Sequence, residues 1–361
     1  MDFNLENLIA EAAPNAFTTC DVARPALLAA CAEHPEVATH HPIGTSEAGR
    51  PLDAFVLGYG PRRVSLMAGA HSDEPVGPET LRSFVVQVTR HKEALRPLLQ
   101  TFQFVVVPHI NPDGEAENWT WMQAWPDAER YLEHVFREPP GRDLEFGFPN
   151  LRRENTHVSE FLLEHGPYAL HLSLHGMAVA EGVLLLIERH WIERTAKLRR
   201  RFAERAHTVD LPLHDHDRKG EKGFLYIGPG FSTTPEGAAM RRHFEQRGDP
   251  ETARLFHDSS MEFVRKIGGD PLCLVTEIPL FLLGKDVPQK RPGVPQVYLE
   301  FMARVPELKL RLQRGDSIAD VLQAYHLRPV PLETAMRLQL FAIQSGLESV
   351  HPQNQTTEEQ P

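Results

Sequence analysis

Between residues 36 and 282 the chain alternates short β-branched or apolar runs with amphipathic helical stretches, a rhythm that a layered α/β sheet accommodates and few other folds do. Strands are expected at 52–57, 64–70, 102–108, 169–174, 183–187 and 272–276, each bounded by glycine, proline or charged residues. Helices are expected at 78–99, 156–165, 191–207, 235–247 and 250–267. Residues 1–35 read as a short helical lead-in carrying apolar Leu27, Leu28 and Cys31, and 36–283 as one domain. The Pro-, Gly- and Lys-rich stretch 284–293 opens a helical C-terminal extension, 284–349, with amphipathic patterns at 296–313, 317–325 and 332–345. The tail, 350–361, is too poor in apolar residues to offset the entropy of ordering and is expected to be disordered.

Composition narrows the partners. A balance of 38 basic against 49 acidic residues, net charge -11, repels phosphate backbones and anionic membrane surfaces, so neither nucleic acid nor a membrane is expected. The N-terminal MDFNLENLIAEAAPNAF shows no basic head followed by a long apolar run, which makes the cytoplasm the expected location. Cys20, Cys31 and Cys273 are odd in number and widely spaced, an arrangement that suits neither a disulfide framework nor a cysteine zinc site. A bound metal would draw on histidine and carboxylate.

Hydrolytic zinc sites commonly take three protein ligands, leave a fourth position to water and keep a carboxylate nearby for its proton. The pair His-x-x-Glu occurs three times, as His71/Glu74, His157/Glu160 and His190/Glu193. The second and third lie near helix starts, where residues three apart are neighbours on a solvated face. His71 instead follows the apolar run VSLMAGA and precedes Pro75 and Gly77, at a strand-to-loop break. Open α/β sheets bind ligands beyond the carboxyl ends of their strands. LHLSLHG places His175 at such an end, and LCLVTEIP places Glu277 at another. A carboxylate following a buried strand is costly unless paired or metal-linked. Taken singly, each residue is equally well a satisfied core histidine or a solvated loop glutamate.

Over roughly residues 36–283 the chain resembles the zinc metallocarboxypeptidases related to carboxypeptidase A. The resemblance is carried, in order, by IGTSEAGRPLDAFVLG (43–58), GAHSDEPVG (69–77), VVPHINPDG (106–114), SLHG (173–176) and TEIP (276–279). It implies that His71, Glu74 and His175 ligate one Zn2+ per chain. Glu277 would then be the general base, taking the water proton and passing it to the leaving amine of an amide. It also implies, with the strand pattern, a three-layer α/β/α domain around a mixed central sheet.

The chain departs from the family's pattern in two places. Where peptide-trimming members carry a stretch like GVDLNRNFP, whose arginine clamps the substrate carboxylate, this chain has GRDLEFGFP (141–149), with Glu145 and Phe146 in place of the Asn-Arg pair. Arg142, Arg152 and Arg153 are nearby candidates for the missing cation, and Arg137 falls near the family's oxyanion-stabilising arginine, one residue out of step. HSDE resembles the HGNE form of bacterial amidases and N-acyl amino acid deacylases, which makes an acylated amino acid an alternative to a peptide substrate. Deacylation of the aspartoacylase or succinylglutamate desuccinylase kind and non-catalytic zinc or peptide binding are the rival functions. Tyr226, in a loop between Gly220 and Gly230, is a further substrate-contact candidate. LHDHD (213–217) reads as an exposed loop, NPDG (111–114) as a turn, and the tryptophans of WTWMQAWPD as packing.

Overall fold

The computed structural model describes residues 4–9, 14–284 and 291–351. Most of the 284–293 hinge and the tail from 352 onward lie outside the described residues. Among the described residues, ten strands form one mixed sheet: β1 (Ala38–Thr45), β2 (Pro51–Leu57), β3 (Arg62–Ala68), β4 (Phe102–Val107), β5 (Leu170–Ala180), β6 (Leu184–Ile187), β7 (Tyr226–Gly228), β8 (Phe231–Thr233), β9 (Leu272–Leu282) and β10 (Arg328–Pro329). Their order is β1-β2-β4-β3-β5-β9-β6-β8-β7, with β10 paired to β9. The central strands β4, β3, β5 and β9 are mutually parallel. The remaining pairings are antiparallel except β6 with β8.

Alternation along the central strands sends side chains to two helical layers. Val64, Leu66 and Ala68 of β3 and Leu170, Leu172 and Leu174 of β5 face one layer, meeting Leu81, Phe84, Val85 and Val88 of the helix Val76–Arg90. That i, i+3, i+4, i+7 spacing is the stripe a core-facing helix needs. Met67, Val105 and Val107 face the other layer, built by the helices Arg153–His165 and Ser260–Ile267. The expected three-layer α/β/α architecture with a mixed sheet is present. Phe301 and Leu308 of the helix Gln296–Gln313, and Met336, Ile343 and Leu347 of Leu332–Val350, belong to the first layer's core. Gln339 of the last helix accepts a hydrogen bond from Thr80 Oγ1 (2.6 Å) and donates to the His175 carbonyl (3.3 Å), so this helix buttresses the centre of the sheet.

Several boundaries differ from expectation for local reasons. The helix expected at 78–99 is two, Val76–Arg90 and Arg96–Thr101, because Pro97 fits a helix's first turn and not its interior. The one expected at 250–267 is also two, since Ser259 and Glu262 form a capping box that starts a new helix. NPDG is more than a turn: Asn111 caps the helix Pro112–Met122 through Gly114 N. β1 escaped notice because this edge strand carries two histidines, a proline and a glycine in place of an apolar alternation. β5 and β9 run on for 11 residues each, well past His175 and Glu277.

Gly77 brings the Val76–Arg90 helix onto β5. A Cβ there would lie 2.4 Å from the Leu174 carbonyl oxygen. Gly77→Ala is therefore expected to cost about 1–3 kcal/mol of stability through overpacking. Urea denaturation measures it, and an unchanged midpoint would show that helix and strand separate freely.

Candidate metal centre

β3 ends at Ala68, and the following loop delivers His71 and Glu74 just before the Val76–Arg90 helix, with Glu74 N donating to the His71 carbonyl (3.3 Å). His175 and Glu277 arrive differently. They are register partners in the middle of the parallel pair β5–β9, so both side chains leave the same face side by side. The site is thus a strand-interior pair joined by a loop, whereas three strand ends were expected.

His71, Glu74 and His175 offer ligand atoms within 4.8 Å of one another. Nδ1 of His175 lies 3.0 Å from Nδ1 of His71 and 2.8 Å from Glu74 Oε2, while His71 Nδ1 lies 2.9 Å from Glu74 Oε1. Gly176 N donates to Glu74 Oε2 (3.2 Å), and Arg137 donates to Glu74 Oε1 and Asp73 Oδ1, both at 3.0 Å. Burial alone would raise the Glu74 carboxyl, but His71, Arg137 and His175 outweigh it and hold the pKa well below the ordinary carboxylate range. Burial would lower His175, yet Glu74 and Glu145 raise it well above an ordinary histidine. Burial and the Glu74 charge together push Glu277 up to about 8. Two imidazoles and a carboxylate converging on one buried point fit a divalent cation, whose binding would displace the His175 proton.

Glu145 is not on the substrate side. It is buried behind His175, with Oε2 3.1 Å from His175 Nε2 and Oε1 accepting from Ser260 N (3.0 Å) and Oγ (2.7 Å). A carboxylate on the far nitrogen fixes the tautomer and orientation of a histidine ligand. The neighbouring Phe146 lines the cavity above the site instead. The arginines expected to replace the clamp are engaged elsewhere: Arg142 with Glu47 (2.9 Å), buried Arg152 with Glu154 (2.9 Å) and Glu47 (3.3 Å), and Arg153 with the Ser46 carbonyl (3.4 Å). None of them lines the cavity. Tyr226 turns away as well, donating to Asp215 Oδ1 (2.6 Å). Asp215 and His214 are buried, so LHDHD is no exposed loop; it packs against Tyr298. Of the predicted residues, His71, Glu74, Arg137 and Glu277 line one cavity of about 600 Å³. Sequence reasoning missed Arg218 and Lys222, which line it too and sit in no motif.

Cys20, His109 and Glu115 form a second group with metal-ligand atoms in reach, which the cysteine spacing did not foresee. A cation already occupies it: Arg82 donates to Glu115 Oε1 (2.6 Å) and Cys20 Sγ (3.0 Å). Burial also pushes the Cys20 thiol up to about 12, away from the thiolate a metal needs. The other His-x-x-Glu pairs contribute to no such group among the described residues. Glu145→Gln is expected to weaken divalent-cation binding roughly 10- to 100-fold. Chelator competition measures this, and an unaltered affinity would show that the pair with His175 is incidental.

Residues 26–161 match the zinc carboxypeptidase family. Zinc carboxypeptidase A 1 of Anopheles gambiae is 28% identical over 132 residues, 36% of this chain and 30% of that protein. An inactive metallocarboxypeptidase of Talaromyces stipitatus is 30% identical over 95 residues, 23% of this chain and 16% of that protein. Carboxypeptidase B of Astacus astacus is 29% identical over 96 residues, 26% of this chain and 32% of that protein. The chain thus spans about a third or less of these relatives' length. Among solved structures, bovine thrombin-activatable fibrinolysis inhibitor in complex with tick carboxypeptidase inhibitor superposes with a TM-score of 0.52 at 13% identity, over 93% of this chain and 98% of that one. Carboxypeptidase A from Helicoverpa armigera gives 0.50 at 13% identity, over 95% and 79%. Local sequence similarity over 26–161, which includes His71, Glu74 and Glu145, bears out the resemblance to the zinc carboxypeptidases read from the motifs, and the fold shared with carboxypeptidase structures runs along nearly the whole chain.

Proposed function

We propose that the chain is a zinc-dependent hydrolase that cleaves an amide bond in a peptide or an acylated amino acid. One observation carries this reading: two imidazoles and a carboxylate converge within 4.8 Å, and a second carboxylate, that of half-buried Glu277, stands beside His175 in register. His71, Glu74 and His175 would hold the cation, with Glu145 orienting His175. Zinc there would supply Lewis acidity toward a carbonyl and lower the pKa of a water. Glu277 takes the proton from that water and returns it to the leaving amine, a task suited to a carboxylate whose pKa burial has moved toward neutrality. Arg137, anchored by Asp73 and Glu74 with its side chain 45% exposed on the cavity, is placed to steady negative charge on the carbonyl oxygen. Phe146 supports a substrate whose terminal group contacts an aromatic wall in place of the usual arginine.

Relatedness to a protein described as inactive leaves metal binding without catalysis as the competing reading. Glu277 separates the two, because a binding protein needs no proton shuttle. Glu277→Gln should leave zinc content unchanged and lower kcat by roughly 10²- to 10⁴-fold on an N-acyl dipeptide. A mutant as fast as the parent would remove Glu277 from the mechanism. Chelation should abolish turnover, zinc should restore it, and excess zinc should raise the melting temperature by linkage. Full activity in metal-free protein would end the zinc reading. Chromatography of the products distinguishes release of a terminal amino acid from release of an acyl acid.

A further inference from the structure

The reading of the cavity as a hydrolase site leaves open which group grips the anionic end of a substrate, since Phe146 stands where the family's arginine would. The cations of the cavity wall answer this. Arg137 is committed to Asp73 and Glu74. Arg218 and Lys222 also line the cavity, are both half-buried, and make no side-chain hydrogen bond or ion pair with any described residue. Arg218 instead lays its guanidinium over the Phe224 ring, 4.2 Å from the centroid, which holds the planar group without using its donors. Half-buried cations that donate to no carboxylate among the described residues are costly, and more so when gathered together. Burial holds the Lys222 ammonium below an ordinary lysine pKa against the pull of Glu221, with Arg218, Arg247 and Arg137 lowering it further.

The backbone adds an independent observation. Lys219, Gly220, Lys222 and Gly223 have φ of 54°, 80°, 53° and 86°, so four of five consecutive residues lie in the left-handed region, two of them with side chains. Such conformations persist where the surroundings over-determine them, and they cluster at ligand clamps. This turn docks on the helix Gly237–Gln246: a Cβ on Gly223 would meet Ala239 Cβ at 2.6 Å, and Met240 of the same helix lines the cavity.

We propose that Arg218, assisted by Lys222, binds the carboxylate of the substrate's terminal residue, replacing the clamp lost at Glu145 and Phe146, while Phe146, Phe244 and Phe256 receive that residue's apolar side chain. The guanidinium, held flat by Phe224, presents paired donors to the carboxylate, and Lys222 adds charge. Loss of Arg218 therefore removes charge-assisted hydrogen bonds that an uncharged terminal amide would not form.

The test titrates the zinc-loaded full chain, by calorimetry, with N-acetyl-L-phenylalanine and with its amide. It compares the parent with Arg218→Met, Lys222→Met and Arg218→Lys proteins matched in zinc content and melting temperature. Affinity for the carboxylate probe should fall roughly tenfold to hundredfold in Arg218→Met, fall less in Lys222→Met and partly recover in Arg218→Lys, with amide binding altered by less than about twofold. Equal carboxylate affinity in all these proteins, or a parallel loss for both probes, would overturn the proposal. If Arg218→Met folds poorly, Lys222→Met carries the same two-probe comparison from the loop. Hydrolysis of an N-acyl dipeptide is followed separately: a zinc-loaded parent that turns nothing over sinks the hydrolase reading and leaves the titration result standing.

Discussion

The parallel pairing of β5 with β9 is the constraint from which the rest of the site follows. Its register sets His175 opposite Glu277 and extends from Leu170↔Leu272 to Ala180↔Leu282, so the polar pair sits in the middle of a long parallel ladder. Slipping one strand by a single residue would turn His175 or Glu277 into the opposite layer. The leucines at Leu170, Leu172, Leu174, Leu272 and Leu274 prevent that slip, because they face the Val76–Arg90 and Leu332–Val350 helices and have nowhere else to be buried. Apolar burial on one face thereby fixes the chemistry on the other.

That polar face is organised in depth. Ser65, His171, Ser173 and His175 all point to the smaller layer, where Ser260 and Glu145 meet them. The line ends at Glu74 and Glu277, so several ionisable groups crowd together at the inner end of one cavity. Their mutual pKa shifts show the consequence: His175 is held charged, Glu74 ionised, and Glu277 is driven toward its neutral form. Acids and imidazoles buried this closely are costly without a compensating cation, which is why the arrangement favours metal binding over a purely structural polar core.

The sequence made the layered fold legible through its periodicity, and the donor residues legible through their placement after apolar runs. It was misleading wherever a residue's direction depended on contacts from distant segments. The GRDLEFGFP stretch shows that Glu145 and Phe146 replace the expected pair, but not that Glu145 turns inward to His175 and Ser260 while Phe146 turns outward. That outcome depends on Ser260, 115 positions away. Arg152 looked available in sequence and is buried against Glu154 and Glu47. Strand lengths were underestimated because β5 and β9 continue through Gly176 and Pro279, residues that ordinarily mark a strand's end.

The two replacements in GRDLEFGFP also make sense only as a pair. An arginine at position 146 would project among Met240, Phe244 and Phe256, where Phe146 now packs edge-on to Phe256 at 5.8 Å between centroids. Such an apolar wall imposes a desolvation penalty on a guanidinium. An aromatic ring there gains burial, and the carboxylate one residue earlier gains the far nitrogen of His175. Local charge thus moves from the cavity side of the loop to the His175 side, and the cations of the cavity wall come from other segments.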